Sequence, residues 1–327
     1  MNYQDRIYGS IEITQPILLD LMGCEAMLRL QRVLQHGITG LLGVTRPTTR
    51  YEHSLGVMVL ARRMGASLDE QIAALLHDVS HTAFSHVIDY VFHDHEEQGY
   101  HERYKESFLA TSDVPLILAQ YGYDWRDCLN EARFSLLEQP APALCADRLD
   151  YFLRDCIDLE LAAQVEVENA LAHLVVHQGR IVADNLEAAR WMGYTYLQAD
   201  EASWANFREV GLYELMARAI RYALENDLLS LEDLWGGDRE VWRKLHAVAD
   251  LQLGDQLALV SPATQFVWDE GNPTFHVSTK LRTLDPDVLL DGRLQPLSAL
   301  DADFARHRLE YLERKAGPWP VRVVRGE

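Results

Sequence analysis

Apolar residues recur at helical spacing through the first two thirds of the chain. They do so over residues 16–37, from Pro16-Ile17-Leu18-Leu19 to Leu30-Gln31-Arg32-Val33-Leu34, and again over 51–64 and 69–79. This periodicity predicts amphipathic helices there and over 143–164, 186–197, 199–226 and 231–250, with Gly37 closing the first. Residues 37–49, rich in Gly, Thr and Pro, read as a loop. Residues 92–101 are polar and read as a loop entering a helix that runs past Phe108. Pro140-Ala141-Pro142 breaks the chain before the helix at 143–164, and residues 176–185 suit a short hairpin. Past residue 228 the pattern becomes alternating, in Gln265–Trp268, Thr274–Val277 and Val321–Val324. The chain is therefore expected to be mainly α, with a helical core over 1–227 and a smaller mixed α+β region over 228–327.

Some polar residues break this pattern where burial would penalise them. His77-Asp78 closes an apolar stretch in which Ile72, Ala73, Leu75 and Leu76 face inward, and polar groups buried without partners are costly. His53 opens another apolar helix, three residues after Arg50. A lone histidine there is ordinarily a hydrogen-bonded core residue; its company changes the reading. Two imidazoles and two carboxylates, from His53, His77, Asp78 and Asp147, suit a divalent metal that keeps positions open for water and substrate. Neighbouring side chains on a helix diverge by about 100°, so His77 and Asp78 reach one ion only if it lies over the helix surface, in a cleft. His81 shares a face with His77 if that helix continues. On the helix at 143–164, Asp147, Tyr151, Arg154, Asp155 and Asp158 form one stripe, ordinarily a solvated face. His93 and His95 read as surface loop, His101-Glu102 as the opening of a helix, and Trp191 and Trp204 as core.

Composition narrows the remaining classes. The 327 residues, 48% hydrophobic, suffice for one large core or two modest ones. No apolar run approaches a membrane span and the start lacks a signal-peptide layout, so a cytoplasmic protein is expected. Cys24, Cys128, Cys145 and Cys156 show no CxxC spacing and read as reduced packing residues. A formal charge of −20 disfavours nucleic acid and anionic membrane as partners. A small phosphorylated substrate stays open, because Arg46, Arg50, Arg148 and Arg154 lie near the candidate ligands in sequence. There is no glycine-rich phosphate loop and no supported Ser-His-Asp or Cys-His arrangement.

Three segments carry a resemblance: Arg50-Tyr51-Glu52-His53-Ser54-Leu55-Gly56-Val57, Leu75-Leu76-His77-Asp78-Val79-Ser80-His81-Thr82-Ala83-Phe84-Ser85-His86, and Asp147-Arg148-Leu149-Asp150-Tyr151-Phe152-Leu153-Arg154-Asp155-Cys156. In this order they resemble the HD-domain metal-dependent phosphohydrolase superfamily, and most closely its deoxynucleoside-triphosphate triphosphohydrolase branch. Asp5-Arg6-Ile7-Tyr8-Gly9 is similar to that branch's opening. The resemblance covers roughly the first half of the chain. It implies a helical HD core and a divalent ion (Mn, Mg, Fe, Ni, Co or Zn, with a second left open) on His53, His77, Asp78 and Asp147. It places Arg50 on phosphate oxygens and His81 beside the scissile phosphate. His101 matches the second catalytic histidine, with His95-Glu96 a competing alignment, and Asp89 the acid that orients such a histidine. Gln35 and Asp155 match groups contacting a sugar hydroxyl, Tyr151 the residue packing on the sugar, and Arg148 a phosphate-facing lysine. Relatives also suggest a homo-oligomer. Ser80, Thr82 and Ala83 depart from the branch's two glycines and proline.

The expected activity is metal-dependent phosphohydrolysis of a nucleotide, foremost a dNTP cleaved to triphosphate and deoxynucleoside, with His81 or His101 titrating near neutrality to handle protons. The alternatives are a phosphatase or phosphodiesterase for another small phosphorylated metabolite, a non-catalytic nucleotide-binding regulatory module, and a dimetal oxygenase.

Overall fold

An antiparallel hairpin, β1 (Asn2–Asp5) and β2 (Gly9–Glu12), opens the chain in the computed structural model, which describes residues 1–94 and 96–324. His95 lies outside them. The helix expected over 16–37 is broken into α1 (Pro16–Met22), α2 (Glu25–Arg29), a 3-10 turn at Leu30–Arg32 and α3 (Gly37–Leu41). Gly23 ends α1 by donating its N–H to Leu19 O, and Val33 turns extended so that Leu34 can bridge to Thr49. Gly37 starts a helix instead of closing one. Its φ is +49° and any Cβ there would collide with the carbonyl of Phe84, so only glycine fits.

The next helices follow the expected pattern closely. α4 (Arg50–Arg63) starts in a capping box: Thr49 Oγ1 accepts from Glu52 N at 3.1 Å, and Glu52 Oε2 accepts from Thr49 N at 2.8 Å. α5 (Leu68–Leu76) is capped by Ser67 and stops at His77. Residues 77–86 then form consecutive turns, so His77 and His81 do not share a helix. In these turns Phe84 (φ 63°) and Ser85 (φ 48°) take the left-handed conformation without being glycine. α6 (Val87–Val91), α7 (Tyr100–Thr111) and α8 (Val114–Gln120) lead through two 3-10 turns to α9 (Ala146–Asp158) and α10 (Gln164–Ala172).

The hairpin β3 (Leu174–His177) and β4 (Arg180–Ala183) precedes α11 (Leu186–Ala199). A π turn at Asp200–Trp204 and an Asn206 cap interrupt the helix expected over 199–226, leaving α12 (Phe207–Glu225). α13 (Asp238–Val248) and α14 (Leu251–Leu259) follow, then β5 (Gln265–Trp268), β6 (Phe275–Val277), β7 (Asp287–Leu290), β8 (Arg293–Pro296), α15 (Leu297–Leu300), α16 (Ala302–Lys315) and β9 (Trp319–Val324). The chain is mainly helical with small sheets, as the periodicity predicts. β9 lies between β5 and β6, both antiparallel to it, and β7 pairs parallel with β4, joining the late strands to the 174–183 hairpin.

Two apolar clusters form the interior. One gathers around α4, α5, α9 and α11; the other surrounds α12 with α6, α14, β6 and β9. All four cysteines are free and buried. Among the described residues no helix is long and apolar enough to cross a membrane.

Candidate active site

α4 and α9 cross at Gly56, where a methyl group would collide with the Asp150 carboxylate and the Arg154 guanidinium. This close approach brings His53, one turn into α4, against Asp147 in the first turn of α9. His77 and Asp78 arrive from the end of α5. His53 Nε2 lies 2.9 Å from Asp147 Oδ1 and 3.7 Å from Asp78 Oδ2. His77 Nε2 lies 3.5 Å from Asp147 Oδ1, 3.5 Å from Asp78 Oδ1 and 3.3 Å from His53 Nε2.

The outer nitrogens decide what these inner atoms are. His53 Nδ1 donates to Asp150 Oδ2 at 2.8 Å, and His77 Nδ1 donates to the Ala74 carbonyl at 2.8 Å. In the neutral rings both Nε2 atoms are then lone pairs, aimed at each other and at two carboxylates. A convergence of acceptors whose one charged donor among the described residues is Arg50, on Asp78 Oδ2, leaves room for a cation, and two imidazoles with two carboxylates suit a divalent one. With protein groups alone, the same field drives the imidazoles toward protonation. Burial opposes this, but Asp78 and Asp147 outweigh it and push His77 up to about 9. Burial likewise opposes ionisation of Asp78, yet Arg50, His77 and His81 hold it well below the usual carboxylate range.

Behind the centre, Asp150 is clamped by four donors. It accepts from His53, from Arg154 Nε at 2.8 Å and Nη2 at 3.0 Å, and from the Tyr8 hydroxyl at 2.8 Å. Arg154 also reaches Asp5 at 2.8 Å, which ties the N-terminal hairpin to the centre. Arg154 is 1% exposed, so the stripe on α9 is not a solvated face. Arg46 stays outside, paired with Asp158 at the surface.

Beside Asp78, Arg50 donates to Asp78 Oδ2 at 2.6 Å and to Ser85 Oγ at 3.0 Å, while Ser85 donates to Leu34 O at 2.6 Å. The left-handed turn at Phe84-Ser85 thus orients the guanidinium. Three imidazoles stand beside it. His81 stacks on His101 at 3.9 Å between centroids, and His86 meets His81 edge-on at 5.2 Å. His81 Nε2 approaches Asp78 Oδ1 at 3.2 Å without hydrogen-bond geometry, and neither of its ring nitrogens has a partner among the described residues. Asp89 orients His86, 3.0 Å from its Nδ1. Burial, with Arg50 and His101, holds His81 well below the usual histidine range, which corrects the expectation that it titrates near neutrality. His86 is held low in the same way by burial and Arg50. Asp78, His81 and His101 also offer ligand atoms within 4.8 Å of one another, a second place where a cation could be held.

One cavity of about 370 Å³ collects these groups. Of the residues expected from sequence, Gln35, Arg50, His53, His77, Asp78, His81, His101, Asp147, Arg148, Tyr151 and Asp155 line it, and Asp89 stands one layer behind His86. Gln35 Oε1 is buried without a hydrogen-bond partner among the described residues. Arg148 is gripped by the Ala143 carbonyl at 2.7 Å and by Glu138 at 3.3 Å. Asp155 accepts from His36 at 3.1 Å and from Trp204 Nε1 at 2.7 Å. Trp204, expected as core, is therefore part of the pocket wall. His86, His36, Glu138 and Arg282 were not expected here. Only His86 carried a signal, its place in the run of histidines from His77 onward.

Residues 50–155 match the HD domain family. The chain is 40% identical over 294 residues to the uncharacterized protein YdhJ of Bacillus subtilis, spanning 90% of each. It is 36% identical over 318 residues to the metal-dependent phosphohydrolase cns2 of Cordyceps militaris, spanning 94% of this chain and 91% of that one. Similarity to the deoxynucleoside triphosphate triphosphohydrolase SAMHD1 of Danio rerio is local, 34% over 105 residues, covering 28% of this chain and 17% of that one. A hypothetical protein from Aquifex aeolicus has the same fold, with a TM-score of 0.70 at 18% identity over 100% of this chain and 96% of that one.

Proposed function

The chain belongs to the HD-domain superfamily of metal-dependent phosphohydrolases, and on that premise we propose that its substrate is a nucleotide, specifically a deoxynucleoside triphosphate cleaved to triphosphate and deoxynucleoside. The observation that carries the reading is the single cavity in which metal-ligating acceptors, Arg50 and three imidazoles face one another. His53, His77, Asp78 and Asp147 would hold the divalent ion, and Asp78, His81 and His101 a second. When bound, such a cation supplies Lewis acidity, polarising a phosphoryl oxygen and making water a better nucleophile near neutral pH.

The remaining work falls to side chains. Arg50, fixed by Asp78 and Ser85, neutralises charge that develops on the phosphate oxygens. With one ion bound, His81 and His86, held neutral by burial and Arg50, are the candidates to accept a proton from attacking water, and His101, stacked on His81, is the candidate acid for the leaving oxygen. With a second ion on His81 and His101, the proton transfer falls to His86. At the other end of the cavity, Tyr151 and Trp204 stand edge to face at 5.0 Å and offer an apolar surface to a sugar. The unpartnered Gln35 Oε1 awaits a hydroxyl donor. Asp155 already accepts two bonds, so a hydroxyl there must share it with His36 and Trp204. That sharing favours a second reading, hydrolysis of a phosphate ester on another small metabolite.

The test is a screen of dNTPs, NTPs, NMPs and a generic phosphodiester with Mn²⁺, Mg²⁺, Co²⁺ and Ni²⁺, with His77→Ala/Asp78→Ala as control. Triphosphate release from dNTPs that the double variant abolishes is the expected result. Release of inorganic phosphate from NMPs alone would favour the second reading. Bound metal without turnover in any well removes the catalytic assignment in favour of a regulatory module. Two irons per chain with O₂-dependent turnover would instead make it an oxygenase.

A further inference from the structure

The coil between β6 and β7 enters the pocket from more than a hundred residues beyond the last metal-ligating motif. Thr279, Lys280, Arg282 and Thr283 all line the cavity. The coil is pinned to the loop before α7 by three side chains. Ser278 Oγ donates to Glu96 Oε1 at 2.7 Å, Lys280 Nζ to Glu97 O at 3.1 Å, and Arg282 Nη2 to Gln98 Oε1. Arg282 Nη1 also donates to Lys280 O at 3.3 Å.

These partners share one property: the oxygens that hold Lys280 and Arg282 are neutral. Among the described residues neither side chain forms an ion pair with a carboxylate, whereas Arg50 and Arg148 are paired with Asp78 and Glu138. The charge of Asp200 favours the Arg282 guanidinium, but its carboxylate accepts from the backbone N–H of Arg282 at 3.1 Å and from the Tyr311 hydroxyl at 2.8 Å instead of pairing with it. Burial, then Arg282 and Arg148, depress the pKa of Lys280, while Glu97 and Glu138 act in the opposite direction without pairing with it. Of the three cations at this wall only Arg148 has an ion-pair partner among the described residues, so Lys280 and Arg282 present positive charge to the cavity in a chain of formal charge −20.

We infer that Lys280 and Arg282, with Arg148, form an anion subsite that takes a phosphoryl group of the substrate other than the one held at His53, His77, Asp78 and Asp147. The inference rests on the phosphohydrolase reading and sharpens it, since a substrate that uses both places carries a phosphate chain. Arginine suits the task because its fork meets two phosphate oxygens at once, while Lys280 adds a point charge from a more exposed position. A purely mechanical role, clamping the coil to residues 96–98, would need the bonds but not two cations at the cavity wall without an ion-pair partner among the described residues.

Calorimetric titration of the full chain in Mn²⁺-buffered solution separates these roles, with inorganic phosphate and inorganic tripolyphosphate as the two probes. The Lys280→Gln/Arg282→Gln variant should bind tripolyphosphate at least ~10-fold more weakly, the scale of losing a charge-assisted contact. Its affinity for inorganic phosphate, held at the metal centre, should stay within about twofold. Arg282→Lys should recover part of the tripolyphosphate affinity by restoring charge. Wild-type tripolyphosphate affinity in the double variant, with a lowered melting midpoint, would overturn the subsite and leave a clasp. If the double variant does not fold, Lys280→Gln alone carries the same test, and unchanged tripolyphosphate affinity in it overturns the subsite equally. A wild-type protein that binds neither anion would remove the phosphohydrolase reading and the subsite with it.

Discussion

At the scale of residues, the metal centre depends on a group that ligates nothing. Asp150 accepts the outer N–H of His53 and so fixes which nitrogen faces inward. Carboxylates behind metal-binding histidines typically contribute ~10–100-fold to metal affinity, and Asp150→Asn should lose that much in a calorimetric Mn²⁺ titration. Unchanged affinity would mean that packing alone orients His53. His53, His77, Asp78 and Asp147 were legible in the sequence because metal chemistry restricts residue types and the motifs keep their order. The partners that orient them were less so. Arg154 belongs to the helical stripe of Asp147, and Asp150 lies on the same helix, yet a run of charges looks the same whether it faces solvent or, as here, an interior salt-bridge network. His36 and Trp204 gave no sign of meeting across Asp155, because that contact joins three separate elements.

At the scale of elements, the crossing of α4 and α9 is the critical contact, and Gly56 permits it. Gly56→Ala would drive a methyl into Asp150 and Arg154. Overpacking of this kind costs about 1–3 kcal/mol, and a buried ion pair shares the strain here. A fall in the urea midpoint together with weaker Mn²⁺ binding is the expected outcome. A stable variant with intact metal affinity would show that the helices can slide apart freely. Helix existence was legible from apolar spacing, and α4 and α5 follow it closely. Helix ends were not, where tertiary needs intervened: the breaks at Gly23 and residues 33–36 let Leu34 bridge to Thr49, and the turns after Leu76 place Asp78 and His81 side by side. Ser80, Thr82 and Ala83 mark an altered turn in the sequence. That Ser85, further along the same turns, is left-handed and held against Arg50 required the fold.

At the scale of the molecule, Asp238 links regions that sequence keeps far apart. Its carboxylate accepts from Phe84 N at 2.8 Å and Leu34 N at 2.9 Å, joining the start of α13 to the two loops that carry His86 and Gln35. Burial outweighs these bonds and raises its pKa from 3.8 to about 7. The folded protein therefore holds this proton more tightly than the unfolded chain does. The resulting stability is fully present below pH 3.8 and is lost as pH rises through about 7. Asp238→Asn, uncharged at every pH, should flatten the decline in urea midpoint between about pH 4 and pH 7, while losing one of the two N–H contacts. A slope equal to that of the wild type would assign the pH dependence to other groups.

The sequence by itself determined the helical class and marked out candidates: the ligand set His53, His77, Asp78 and Asp147 and, through the resemblance, Arg50 toward phosphate. Each is written in local periodicity or in residue types that metal and phosphate chemistry constrain. Only the tertiary structure decided which charges are buried, which nitrogen of His53 and His77 faces the centre, and that Lys280 and Arg282 reach the pocket wall. Those facts depend on contacts between segments distant along the chain, and neither periodicity nor spacing encodes how such segments meet.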